Sequence, residues 1–283
     1  MNTTFPSIES LLKKYSVRAK KKFGQNFLTP RPTLEKIIAQ LELTTNDIVV
    51  EIGPGLSLMT ALTAEKCKHV YAVEFDDDMV AIAKEEFGHL KNITWIHADI
   101  LKVHLDQFLQ THKEIKSLKV IGNIPYEITS PILFYLLESR NIIGKAVLLM
   151  QKEVALRLIA KPSTKEYGIL SILLNVQSVC KKCFDVSRQS FIPAPKVDSS
   201  VISIDFTSSP FMLQNEKWFK QIVKAAFGKR RKTLRNALLQ GGLSLAAENL
   251  EKAADTCNIP LTSRAEDLDI SDFVCLAQQL IEK

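Results

Sequence analysis

Short apolar runs alternate along much of the chain with segments in which apolar residues recur every three or four positions. The runs cover residues 48–52, 70–73, 92–96, 118–121 and 146–150, and the helix-like segments cover 56–65, 77–87, 131–138 and 152–160. Such runs are typical of buried strands, and the wider spacing is typical of amphipathic helices. Strands that alternate with helices predict βαβ units and a parallel sheet covered on both faces. We therefore expect an α/β fold with a Rossmann-like sheet.

Two more strands are predicted beyond this region, over residues 176–186 and 197–206. The connection between them contains Phe191-Ile192-Pro193-Ala194-Pro195. Proline disfavours the helical conformation at its own position and at the position before it. We expect an extended loop there.

The character of the sequence changes after Phe206, where only helical patterning remains. The predicted helices cover residues 218–227, 229–240, 243–257 and 265–281. A linker-like segment, residues 207–210, precedes them. We therefore predict a domain of residues 1–207 and a small all-helical domain of residues 208–283.

The composition, with 46% apolar and 24% charged residues, is that of an ordinary globular protein. No apolar run is long enough to predict a transmembrane helix, and residues 1–10 do not resemble a secretory signal. Five cysteines are an odd and sparse set, so we expect reduced thiols in a cytoplasmic protein. We also expect a monomer. Cys180 and Cys183 have the spacing of a metal pair, but no second pair accompanies them, and we predict no metal site.

The net charge of +6 is concentrated in two basic clusters. The first consists of Lys13, Lys14, Arg18, Lys20, Lys21, Lys22 and Arg31. The second consists of Lys229, Arg230, Arg231, Lys232 and Arg235. Each is either a solvated surface or a site of phosphate contact in which basic side chains displace counterions from a nucleic acid. Their clustering favours a nucleic-acid partner.

Candidate ligand-binding residues follow the first three strands. Glu51-Ile52-Gly53-Pro54-Gly55 ends the first strand, Glu74 ends the second 21 residues after Gly53, and Asp99 follows the third. Glycines permit a sharp turn and a close approach of a ligand to the backbone. In doubly wound folds, an acidic residue at the position of Glu74 reaches ribose hydroxyls. The pattern predicts a bound nucleoside.

A dinucleotide and S-adenosylmethionine both contain such a nucleoside. The dinucleotide fingerprint of a dehydrogenase needs a third glycine, but Leu56, Ser57 and Leu58 follow Gly55. Asp99 is either an ordinary helix N-cap or an acceptor for an adenine amine. Taken together, these features favour S-adenosylmethionine.

A further motif, Asn123-Ile124-Pro125-Tyr126, follows the fourth strand at the same edge of the sheet. The exocyclic amine of adenine is a poor nucleophile because its lone pair is delocalised into the ring. The amide oxygen of Asn123 and the backbone carbonyl of Ile124 could accept its two hydrogens, and Tyr126 offers a flat face to an unstacked base. The motif predicts a site that positions an adenine amine for methyl transfer, although the same residues also occur in simple turns.

The sequence resembles the KsgA-type ribosomal RNA adenine dimethyltransferases over nearly its whole length. The resemblance rests on five motifs in the family's order: residues 24–28 (GQNFL), 51–56 (EIGPGL), 123–126 (NIPY), 191–199 (FIPAPKVDS) and 227–234 (FGKRRKTL).

The resemblance implies a set of site residues. Those implied to contact S-adenosylmethionine are Asn26, Leu28, Gly53, Glu74, Asp99 and Asn123. Asn123 and Tyr126 would hold the target adenine, with Phe191 on its other side. The implied substrate is a pair of adjacent adenosines near the 3′ end of small-subunit ribosomal RNA, within a pre-assembled subunit particle. The implied chemistry needs no metal.

Two residues depart from the family pattern. Ser57 replaces a third glycine, and Ile124 replaces a leucine that the small-subunit enzymes usually carry. Isoleucine is more typical of the erythromycin-resistance methyltransferases, which modify one adenine of large-subunit ribosomal RNA. That activity, and a non-catalytic RNA-binding role in ribosome assembly, are the alternatives to small-subunit dimethylation.

Overall fold

In the computed structural model, residues 5–20, 23–229 and 231–281 are described. Lys21, Lys22 and Arg230 of the two basic clusters lie outside this part of the chain. The chain divides into two compact units, one of Met1–Ala155 with Lys181–Thr207 and one of Leu156–Cys180 with Ser208–Lys283. The sequence places residues 156–180 in the N-terminal domain, whereas the structure groups them with the C-terminal helices.

Nine strands are present in the described part of the chain. They are β1 (Phe27–Leu28), β2 (Ile48–Ile52), β3 (His69–Glu74), β4 (Ile93–His97), β5 (Leu118–Asn123), β6 (Ile143–Gln151), β7 (Val179–Val186), β8 (Phe191–Ile192) and β9 (Ser199–Asp205). Seven of them form a sheet of order β4-β3-β2-β5-β6-β9-β7, and β1 pairs with β8 in a separate two-stranded sheet.

The described part of the chain contains twelve α-helices. They are α1 (Ile8–Lys14), α2 (Arg31–Ala39), α3 (Leu58–Ala64), α4 (Asp77–Phe87), α5 (Asp106–Gln110), α6 (Thr129–Glu138), α7 (Lys152–Leu158), α8 (Ile169–Asn175), α9 (Glu216–Phe227), α10 (Leu234–Leu239), α11 (Ala247–Thr256) and α12 (Ile270–Gln279).

The parallel sheet predicted from the apolar runs is confirmed for five strands. β4, β3, β2, β5 and β6 pair in parallel, and all five residues of β2 are buried. β9 is different, because it pairs with β6 in the antiparallel direction, with Gln151 opposite Ser199. A Rossmann-like sheet with one antiparallel partner therefore forms the first unit.

The helices of the second unit differ from the predicted segments at several points. α8 was not predicted; its residues Ile172, Leu173 and Leu174 are buried, and it packs against α9. The segment predicted as a helix from residue 229 becomes helical only at Leu234, because Thr233 caps that helix by accepting a hydrogen bond from the Asn236 amide.

The expectation of reduced thiols is wrong for one pair of cysteines. Cys257, directly after α11, is joined to Cys275 in α12 by a disulfide. Sequence spacing did not predict the pair, because the two cysteines become neighbours only when the helices pack. Cys67, Cys180 and Cys183 are free thiols.

None of the helices in the described residues is long and apolar enough to span a membrane.

Candidate active site

A cavity of about 320 Å³ lies in the first unit, at the carboxyl ends of the central strands. Its lining comes from the segments that follow β2, β3, β4 and β5, together with residues 23–28 near the N-terminus. This edge of a doubly wound sheet is where ligands bind in such folds. Of the residues predicted to be functional, Asn26, Leu28, Gly53, Glu74, Asp99, Asn123 and Tyr126 line the cavity.

The turn after β2 has a backbone that favours glycine. Gly53 and Gly55 have φ angles of 65° and 55°, in the left-handed region that side chains disfavour. A Cβ on Gly55 would also lie 3.3 Å from the Phe27 ring. Ser57, which replaces the family's third glycine, adopts a φ of 63°, and its hydroxyl donates to the Gly55 carbonyl. The turn therefore forms with serine at this position.

The carboxylate of Glu74 is fixed at the end of β3. Its Oε1 accepts hydrogen bonds from the Phe75 and Asp76 amides at 2.8 and 2.9 Å, and its Oε2 accepts one from the Gly55 amide at 3.0 Å. Burial raises the pKa of this carboxyl above its ordinary value, although the three amides oppose that shift. The single bond at Oε2 leaves that oxygen able to accept a hydrogen bond from a ligand hydroxyl.

Glu51 is the most unusual residue of the cavity lining. It lies in the central strand β2, is 0% exposed, and neither carboxylate oxygen has a hydrogen-bond partner of ordinary geometry among the described residues. Burial raises its pKa to about 8; the Thr60 hydroxyl opposes this shift, and repulsion from Glu74 adds to it. Because an unpaired buried carboxylate is costly, this side chain fits a positively charged ligand group in the cavity.

Asp99 and Phe75 lie on the next part of the wall. Asp99 Oδ1 accepts a hydrogen bond from the Leu101 amide at 3.1 Å, so the residue is an N-cap and also lines the cavity. The Phe75 side chain is exposed and meets the Phe23 ring edge-on, with 5.5 Å between centroids. Aromatic rings beside hydrogen-bond acceptors match the needs of a nucleoside.

The segment before β1 is tied to this wall by an ion pair. Lys20 Nζ donates to Asp76 Oδ1 and to Asp78 Oδ2, each at 2.6 Å, and Gln25 donates to the other oxygen of Asp76. Among the described residues, Asp76, Asp77 and Asp78 form the only acidic cluster with metal-ligand spacing. The Lys20 ammonium lies between two of its carboxylates.

The Asn123-Ile124-Pro125-Tyr126 motif is held in place by its backbone and by Asn26. The Asn123 side-chain amide donates to the Asn26 carbonyl at 2.9 Å. The Ile124 amide donates to Leu149 O in β6 at 2.9 Å, and the Thr129 hydroxyl lies 3.2 Å from the carbonyls of Pro125 and Tyr126. Because a carbonyl can only accept, the nitrogen of the Asn123 amide faces Asn26, and its Oδ1 remains available as an acceptor.

Phe191 is placed differently from the other predicted site residues. It lies in β8, opposite Leu28 of β1, is 3% exposed and belongs to the hydrophobic core. It is not part of the cavity lining. In this structure the side chain therefore packs in the hydrophobic core and does not line the cavity beside Tyr126.

The basic clusters are only partly available to a phosphate. In the first, Lys14 pairs with Glu86, Arg31 with Glu35, and Lys20 with the acidic cluster. In the second, Arg235 pairs with Glu251, whereas Arg231 and Lys232 are exposed.

Sequence analysis did not single out Phe75. It named Lys20 only as a member of the first basic cluster and Glu51 only as part of the turn motif. The one signal for Glu51 in the sequence was that a charged residue lies inside an otherwise apolar strand. This signal could have predicted the buried carboxylate. Lys20 and Phe75 carried no such signal, since their partners come from distant segments.

Comparison with known proteins agrees with this geometry. The family model of ribosomal RNA adenine dimethylase matches residues 16–282. The chain is 40% identical to ribosomal RNA small subunit methyltransferase A of Desulfotalea psychrophila over 274 residues, which cover 94% of this chain and 92% of that protein. The protein of the same name from Streptococcus gordonii is 40% identical over 275 residues, 96% of this chain and 95% of its own length.

Solved structures show the same fold. A dimethyladenosine transferase from Plasmodium falciparum superposes with a TM-score of 0.74 at 25% identity, over 88% of this chain and 95% of its own. The 23S rRNA methyltransferase ErmE superposes with a TM-score of 0.70 at 24% identity, over 91% of this chain and 100% of its own, and supports the fold alone. The methyltransferase-type sheet, the cavity at its edge and a family match over almost the entire chain lead to one conclusion. This chain belongs to the ribosomal RNA adenine dimethylase family.

Proposed function

We propose that this protein transfers methyl groups from S-adenosylmethionine to the exocyclic amines of adenine in small-subunit ribosomal RNA. The observation that carries the proposal is the Asn123 amide, oriented by the Asn26 carbonyl at 2.9 Å in a cavity that also contains Glu51 and Glu74. The finer target is the one that the family resemblance implies, two adjacent adenosines near the 3′ end of the RNA.

The residues of the cavity fit S-adenosylmethionine. The molecule carries an ammonium and a sulfonium group, and the unpaired carboxylate of Glu51 is suited to a positive charge. The free acceptor capacity of Glu74 Oε2 suits ribose hydroxyls, and Asp99 beside Phe75 suits an adenine ring. When bound, the sulfonium supplies an electrophilic methyl group. Asn26, Leu28 and Gly53 complete the proposed binding set.

The protein's part in the reaction is positioning. Asn123 Oδ1 accepts one hydrogen of the adenine amine, the Ile124 carbonyl accepts the other, and the lone pair of the nitrogen is turned toward the methyl donor. The ring of Tyr126 supports the unstacked base. Fixed orientation of this kind lowers the activation barrier, because the entropy cost of bringing two reactants together is met on binding.

The small-subunit target is favoured over the large-subunit alternative by the names of the chain's relatives. Two relatives that are 40% identical over 94% and 96% of this chain carry the small-subunit name. Ile124 does not weigh against this assignment, because the proposed contribution of the residue is its backbone carbonyl and its side chain is buried.

Arg231 and Lys232, exposed in the helical unit, are proposed to contact RNA phosphates. Since the proposed substrate is a pre-assembled ribosomal particle, we propose that the protein acts in the cytoplasm, as a monomer.

The test is methyl transfer from labelled S-adenosylmethionine to ribosomal particles of a strain that lacks the gene. We expect label in small-subunit particles and little in large-subunit RNA. The reverse preference would favour the resistance-type activity. If an Asn123→Ala protein methylates no RNA but still supports normal assembly of the small subunit, an RNA-binding assembly factor would be favoured.

A further inference from the structure

We propose that Ser199 is a positioning residue, which fixes the ring of Tyr126 for the target base through a hydrogen bond to the phenol oxygen. The two hydroxyl oxygens are 2.9 Å apart. This inference rests on the proposed transfer to adenine, because it assigns Ser199 a role in holding that base.

The Ser199 hydroxyl is well placed for this role because it is rigid. Ser199 is 0% exposed and begins β9, where it lies opposite Gln151 of β6. The preceding residue, Asp198, accepts a hydrogen bond on its carbonyl from the Lys152 amide at 3.0 Å and one on its side chain from the Arg188 amide at 3.0 Å. The end of β9 is thus attached to two neighbouring segments.

Tyr126 needs an anchor of this kind. It is half-buried in a one-turn 3₁₀ helix, Tyr126–Ile128, and its ring lines the cavity. The backbone contacts of Thr129 fix the main chain but leave the side-chain torsions free. A hydrogen bond at the far end of the ring removes that freedom, so the face offered to the base is set before the base arrives. Pre-organisation of this kind lowers the cost of binding in the reactive geometry.

The neighbouring Ser200 provides a matched control. It is also 0% exposed, and its hydroxyl donates to Asp185 Oδ1 at 2.6 Å. Adjacent residues of a strand point to opposite faces, so Ser200 makes a comparable buried hydrogen bond away from Tyr126. Ser199→Ala and Ser200→Ala each remove one hydroxyl from the same strand, and only the first releases the tyrosine.

The experiment measures the single-turnover rate of methyl transfer to small-subunit particles and the Kd for S-adenosylmethionine. The proteins are the wild type, Ser199→Ala, Tyr126→Phe, the double variant and Ser200→Ala. The two single changes at the Tyr126–Ser199 contact should each slow transfer about threefold to tenfold, the range expected for one net hydrogen bond. The double variant should be no slower than either single variant. The Kd of Ser199→Ala should stay within about twofold of the wild-type value, because Ser199 does not line the cofactor cavity.

Tyr126→Phe removes the bond without altering β9, so the inference can be tested even if Ser199→Ala disturbs the strand. Equal slowing by Ser200→Ala, additive effects in the double variant, or an unchanged rate in Tyr126→Phe would each overturn it. With an active wild type, these outcomes contradict only the role of Ser199. An inactive wild type would contradict the proposed function and this inference with it.

Discussion

The side-chain amide of Asn123 donates a hydrogen bond to the backbone carbonyl of Asn26, which lies 97 residues earlier in the chain, at 2.9 Å. One contact thus links the motif proposed to hold the adenine amine with the segment that covers the cofactor cavity. It also decides which end of the amide faces the cavity. The orientation of the proposed acceptor, Asn123 Oδ1, is therefore set by a backbone atom that no substitution at Asn26 removes.

Asn123→Asp tests this relationship. A carboxylate has nearly the same shape, but it cannot donate to the Asn26 carbonyl, and its charge disfavours the approach of that oxygen. We expect methyl transfer to fall about 100-fold, the scale seen when one pre-organised hydrogen bond is lost from an active site. The measurement is the rate of label transfer to small-subunit particles.

Asn92→Asp is the matched control, because the Asn92 amide donates to the Ala64 carbonyl at 2.8 Å outside the cavity lining. This variant should keep its activity. A rate for Asn123→Asp within a factor of two of the wild type would contradict the role given to the amide.

Glu74→Ala should weaken the binding of S-adenosylmethionine by about tenfold or more. Hydrogen bonds to charged groups contribute about 1.5–3 kcal/mol, and this carboxylate is the proposed acceptor of the ribose hydroxyls. Calorimetry gives the Kd directly. Glu9→Ala, which removes an exposed carboxylate of α1, serves as the charge control. An unchanged Kd in Glu74→Ala would show that the ribose contacts lie elsewhere.

Glu51→Gln should stabilise the ligand-free protein, and increasingly so as the pH rises. Burial raises the pKa of Glu51 to about 8 in the folded protein, from 4.5 as the reference value. The folded state therefore holds a proton that the unfolded state has released, and this contribution to stability is lost progressively between these two pKa values as the pH increases. Glutamine has no proton to lose, so its advantage grows over the same window and then levels off above it.

The measurement is Tm against pH for wild type and variant without cofactor. A gain of 1 kcal/mol shifts Tm by about 2–4 °C in a protein of this size class, so the expected difference is several degrees above pH 8. Glu127→Gln, at an exposed position, should show no such trend. A Tm difference that does not change with pH would mean that Glu51 is ionised in the folded protein.

The apolar pattern predicted the sheet well, because a strand that is buried on both faces requires apolar residues at nearly every position. The predicted helix over residues 77–87 coincides with α4, and the first predicted strand coincides with β2. Boundaries were less accurate where a cap decides them, as at Thr233. α8 was missed because its short apolar segment precedes a strand of similar composition.

The site was predicted in its parts but not in its contacts. Seven of the expected site residues line the cavity. The bond from Asn123 to Asn26 and that from Tyr126 to Ser199, however, join segments that only the folded chain brings together. Phe191 shows the opposite case, since a residue expected beside the base packs in the core. Lys20 belongs to a cluster for which a solvated surface and a phosphate contact were both left open, but its ammonium is paired with Asp76 and Asp78. Such pairings depend on three-dimensional neighbours, which spacing alone does not specify.

Replacing Arg230, Arg231 and Lys232 with alanine should weaken RNA binding in a salt-dependent manner. Each phosphate contact contributes about 0.7–0.9 to the slope of log K against log salt, so the slope should become shallower by about two. The control replaces three basic residues elsewhere, Lys91, Lys113 and Lys116, which are exposed in the first unit. If both triple variants have the slope of the wild type, the second basic cluster does not contact phosphate.

The central claim is that this chain dimethylates adenosines of small-subunit ribosomal RNA. Mass spectrometry of ribosomal RNA from a strain lacking the gene, before and after the gene is restored, tests it most directly. We expect two adjacent dimethyladenosines near the 3′ end of the small-subunit RNA to be absent without the gene, to return with the wild type, and to stay absent with Asn123→Ala. Small-subunit RNA that carries the same modifications with and without the gene, or a restored modification confined to large-subunit RNA, would contradict the claim.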